Sequence, residues 1–133
     1  MSGVAIIDAL LAAHAPLIAV VPVDRIKGGR LPDGVQLPAL LVRTISVVEL
    51  QPLKRGSMVR TTERVSVAVR AASYREQRAV IGMVRGACAG KVGTIAHYPR
   101  VSVLTAGTGP DATGPGDSFE QTQDFRVSFD AQA

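Results

Sequence analysis

The sequence of 133 residues contains no tryptophan, two tyrosines, three phenylalanines, two histidines and one cysteine. So few aromatics mean that any core is built from Val, Leu, Ile and Ala, and they leave little with which to stack nucleic-acid bases. A lone cysteine, Cys88, excludes an intrachain disulfide and a thiolate zinc cage, and it fits a reducing compartment. His14 and His97 do not stand at metal-ligand spacing with Cys, Asp or Glu, so no metal is expected. The one long apolar run, "VAIIDALLAAHAPLIAVV" (4–21), is broken by Asp8, His14 and Pro16. It reads as an amphipathic helix and not as a signal peptide or membrane span.

Catalytic signatures are equally scarce. "GACAGKVGT" (86–94) resembles a phosphate loop only superficially. Its glycines are too close together, Val92 stands where a Mg²⁺-binding hydroxyl is needed, and the segment follows a helix. Gly107-Thr108-Gly109 runs into Pro110, which lacks the N–H that an anion nest requires. Ser57, Ser73 and Ser118 have no nucleophile-elbow context. These features argue against an enzyme, and neither catalytic residues nor a cofactor are expected.

What the chain has is segregated charge. Residues 43–100 carry eleven Lys or Arg against three Glu, a net of +8, whereas residues 101–133 carry one Arg against five acids, a net of −4. Opposite charges on two regions can pair between copies of a chain, bind nucleic acid, or mix within one fold. Candidates for a basic face between subunits or along a lumen are Arg60, Arg64 and Arg70 with Arg75, Arg78 and Arg85. Glu120, Asp124 and Asp130 are their acidic counterparts.

Hydrophobic periodicity gives the elements. Ser2 can cap a helix to about His14, and Pro16 can open a short second turn. "KGGRLPDGVQLP" (27–38) reads as loop. A strand over 39–48 shows little alternation at first, as expected for burial on both faces. After a connection at 49–57, a strand over 58–72 follows, in which Val65, Val67, Val69 and Ala71 oppose Arg64, Ser66, Ala68 and Arg70. Such length predicts a hairpin projecting beyond the domain, with Lys54 and Arg55 at its tip. Ser73 and Glu76 form a capping box for a helix over 74–89 that buries Tyr74, Ile81, Val84 and Cys88. Strands over 100–106 and 119–131 flank a Gly/Pro-rich loop, 107–118, which carries Asp111 and Asp117. The expectation is one α+β domain over 1–133, in the order α-β-β-α-β-β. Its single four-stranded sheet is mostly antiparallel, with helices on one face.

"DRI" (24–26), "LPALLVRTIS" (37–46), "RVSVAVRAASYREQRAVIGMVRGA" (64–87) and the Phe-x-Val-x-Phe alternation at 125–129 resemble the tail-completion proteins of long non-contractile-tailed phages and gene transfer agents. These are also called tail terminators or head–tail joining proteins. Glu76-Gln77 departs from the usual Glu-Ala. The resemblance implies a ring subunit, typically one of six, that caps the head-proximal end of the tail tube and stops its growth. Its partners would be the tube protein and the head–tail connector or stopper, with DNA passing through the lumen without sequence specificity. The subunit would assemble in the bacterial cytoplasm and end in the particle neck, with no membrane involved. Lys54, Arg55, Asp111 and Asp117 are then expected at assembly contacts. The alternatives are a head-side stopper or adaptor and a basic α/β nucleic-acid-binding module.

Overall fold

A computed structural model describes residues 2–133. Helix α1 (Ser2–Ala12) and the single turn α2 (Ala15–Ile18) lead through a 3-10 turn into a short strand, β1 (Ile26–Gly28). Strands β2 (Ala39–Leu50) and β3 (Met58–Ala71) precede helix α3 (Tyr74–Cys88). Strands β4 (Val92–Ile95), β5 (Tyr98–Thr108), β6 (Ala112–Gly114) and β7 (Ser118–Gln132) complete the chain. Ser2 lies inside α1, not ahead of it as the capping expectation had it.

All seven strands form one sheet in the order β1-β2-β3-β7-β5-β4, with β6 also paired to β7. Only β1–β2 is parallel. Four strands were expected, and the three extra ones are only three or four residues long. They are fragments of Gly-rich connections that become strands by hydrogen bonding to long neighbours. The expected two-stranded hairpin is also corrected. β7 pairs with β3 over its whole length, from Met58↔Gln132 to Ala71↔Phe119, so the arm is three strands wide.

Side-chain alternation separates the two faces of the sheet. Val65, Val67, Val69 and Ala71 of β3 are fully buried, as are Phe125 and Val127 of β7, and Phe129 nearly so. The valines and phenylalanines among them meet Ile6, Ile7 and Leu11 of α1 and Val80 and Val84 of α3 in one apolar cluster. Each such side chain contributes about 1.5–3 kcal/mol of transfer free energy. Tyr98 packs edge-on against Phe129 at 5.5 Å, closing the end of the core near the arm.

The turn from β3 into α3 follows from two side chains. Ser73 Oγ accepts the backbone N–H of Glu76 at 3.1 Å, and Glu76 Oε1 accepts that of Ala72 at 3.1 Å. A cap of this kind is worth about 1 kcal/mol. α3 buries Gln77, Val80, Ile81, Val84, Ala87 and Cys88. Tyr74, expected in that stripe, is 45% exposed and meets Phe119 edge-on at 6.5 Å.

Candidate assembly surfaces

The even-numbered residues of β3 and β7 lie on the face that no helix covers. Register places Arg60 opposite Asp130 and Arg70 opposite Glu120. The pairs close at 3.2 and 2.7 Å. Arg64 sits opposite Arg126 and turns diagonally to Asp124 at 2.8 Å, while its other nitrogen donates to the Ala106 carbonyl. Arg60 also donates to the Arg100 carbonyl, and Arg100 reaches Asp130 at 3.4 Å. The acidic strand therefore pairs with arginines of its own chain, so Glu120, Asp124 and Asp130, expected as the counterparts of a basic face, meet Arg70, Arg64 and Arg60 within one subunit. Half-exposed pairs of this kind contribute on the order of 1 kcal/mol or less each. Arg126 remains exposed, beside a like charge.

Arg75, Arg78 and Arg85 are exposed on α3. That helix packs on the opposite side of the sheet from the strand arginines. The six arginines therefore do not form one basic patch. No carboxylate lies within ion-pair distance of these three among the described residues, and the Arg78 guanidinium stands 5.9 Å from the Tyr74 ring centroid.

The 107–118 segment is held firmly to the sheet and is not a free loop. Three glutamines pin it. Gln123 Nε2 donates to the Gly107 carbonyl and Gln121 Nε2 to that of Gly109, while buried Gln77 donates to Asp111 at 2.8 Å. Asp111 thus binds α3 even though its residue surface is exposed. Asp117 is exposed at the end of a 3-10 turn, with φ of 60°.

Lys54 and Arg55 are exposed at the arm tip, in the connection between β2 and β3. The feature that sequence reasoning missed leads up to them. β1 covers the outer edge of β2 only at Leu40–Val42. From Ile45 to Leu50 every residue is exposed, with Val48 at 66% and Leu50 at 75%. Leu53 in the tip connection is fully exposed as well. Soluble proteins usually blunt a long apolar strand edge with charge, proline or a covering element. A bulge near Ile45 and two charges, Arg43 and Glu49, are all that this edge carries. The available signal was an apolar run, "ISVVEL", that follows the buried half of the strand without a partner element after it.

Burial pushes the Cys88 thiol up to about 12 despite the opposing charge of Lys91, so it stays protonated and inert. Burial also raises Asp8 from the ordinary carboxylate range. Among the described residues no three His, Cys, Asp or Glu side chains cluster as metal ligands, and no helix is long and apolar enough to cross a membrane.

A family profile described as "Tail completion protein gp17" matches residues 5–130. Among solved structures, a chain of the "Virion of native gene transfer agent (GTA) particle" superposes with a TM-score of 0.70 at 14% identity. The alignment covers 96% of this chain and 94% of that one, and at this identity the likeness is one of fold. No curated protein matches the sequence.

Proposed function

The chain belongs to the tail completion protein gp17 family, and from that premise we propose that it is a structural ring subunit capping the head-proximal end of a phage-like tail tube. In this role it ends tube polymerisation and joins the tail to the head connector. It acts as a single domain and assembles in the bacterial cytoplasm, with the tube protein and the head connector as partners, into the neck of a particle through whose lumen DNA later passes.

The observation that carries this reading is the uncovered apolar edge of β2, which leads to a tip bearing Lys54 and Arg55. A surface of this kind gains by being covered with protein. The intramolecular pairing of Arg60, Arg64 and Arg70 favours an assembly role over a nucleic-acid module, because paired guanidiniums release fewer counterions from a phosphate backbone. Lys54 and Arg55 contact the tube or connector, and Asp117 contacts a neighbouring protein. Reversing both tip charges, Lys54→Glu with Arg55→Glu, leaves the fold intact and blocks attachment of heads to tails. Normal attachment by that double variant would remove the tip from the interface.

A further inference from the structure

We propose that copies of this chain join edge to edge, the exposed stretch of β2 on one copy pairing with β4 of the next, so that the sheet continues across the subunit boundary. The inference rests on the ring reading above and names the contact that closes the ring.

The sheet has two open sides. One is β2 beyond Val42, and the other is β4, whose Val92, Gly93 and Thr94 are all exposed. Register shows that these two edges lie at the same height. Val48 pairs with Thr62, Thr62 with Ser128, Ser128 with Ser102, and Ser102 with Val92. One row therefore crosses five strands from Val48 to Val92. A ring turns one copy into the next without a rise, so with its axis along the strands Val92 of one copy meets Val48 of its neighbour.

Faces match as well as heights. Val48 and Val92 stand in one row and so share the helix-free face, and they are 66% and 75% exposed. Leu50, two residues beyond Val48, points the same way. On the helix side, Glu49 of one copy and Lys91 of the next fall on diagonal positions, within reach of long side chains. Both are exposed. The chain alternates direction from β2 through β3, β7 and β5 to β4, so β2 and β4 run the same way and the new pair is parallel. Such a contact is heterologous, one edge meeting a different edge, and closes a ring when the rotation divides a full turn. It also supplies the complementarity that the internally paired arginines do not.

The test uses Val48→Cys and Val92→Cys together, in a Cys88→Ala background, with mild oxidation of the purified chain and of assembled particles. Within one chain the two sites lie four strand spacings apart, about 19 Å, too far for a disulfide, which needs Cα atoms within roughly 7 Å. The proposal predicts a covalent ladder that ends at the band of the closed ring, and no ladder from either single-cysteine variant. Dimers from Val48→Cys alone would show an isologous β2–β2 contact and overturn it. Oligomers by native mass spectrometry without the double-cysteine cross-link would overturn edge pairing while leaving the ring reading intact. A chain that stays single in solution and in particles would overturn both.

Discussion

Glu63 is completely buried, and its carboxylate accepts from the Gly3 backbone N–H at 3.0 Å and from the Thr44 hydroxyl at 2.7 Å. It thus ties the first turn of α1 to β2 through a charge at the positive end of the helix. Replacing it with alanine strands two donors and opens a cavity. At ~1–3 kcal/mol for each unsatisfied buried group, the loss is about 3 kcal/mol. With a urea m-value of about 2 kcal/mol/M, the unfolding midpoint falls by about 1.5 M. Glu63→Gln keeps the volume and one acceptor oxygen but removes the charge, and it costs about 1 kcal/mol, or about 0.5 M. Gly3→Ala offers an independent check. A Cβ there would lie 2.6 Å from the Glu63 carboxyl carbon, so the carboxylate must leave its partners. Urea titrations followed by circular dichroism measure all three. A Glu63→Ala midpoint within about 0.3 M of the parent would refute this role for the buried carboxylate.

Three other outcomes follow from the geometry. A double-mutant cycle on Arg70 and Glu120 gives a favourable coupling of roughly 0.2–1 kcal/mol, which shrinks with added salt; an unfavourable or salt-independent coupling would contradict the pairing. Cys88 does not react with a thiol reagent at pH 8 until the chain unfolds, and prompt native-state labelling would contradict its burial. Because the folded thiol sits at about 12 against an ordinary 9.0, its contribution to stability is complete below pH 9 and is lost as pH rises toward 12. Cys88→Ala therefore flattens the alkaline arm of the stability–pH curve, and an unchanged arm would point to other groups.

The parts of this architecture legible in the sequence were those with local causes. Val65, Val67 and Val69 alternate because one face of β3 meets helices, and Phe125, Val127 and Phe129 do so for the same reason on β7. Ser73 and Glu76 marked the start of α3 because a cap needs only its own neighbours. Features that depend on distant partners did not show. Arg60, Arg64 and Arg70 looked like a free basic face because Asp130, Asp124 and Glu120 lie fifty or more residues away in the chain. Strands β1, β4 and β6 exist only through their pairing with longer strands, so their own residues carry no period. Tyr74 looked like core, but it stands at the first turn of α3, where its ring meets Phe119 and the Arg78 guanidinium and stays half exposed. The apolar residues after Thr44 looked like ordinary strand, and only the absence of a neighbour beyond Val42 reveals them as a surface.

We propose that this chain ends the growth of a tail tube. Electron microscopy of particles produced with its gene deleted decides it. Abnormally long tails without heads are expected. Tails of normal length, joined normally to heads, would contradict it.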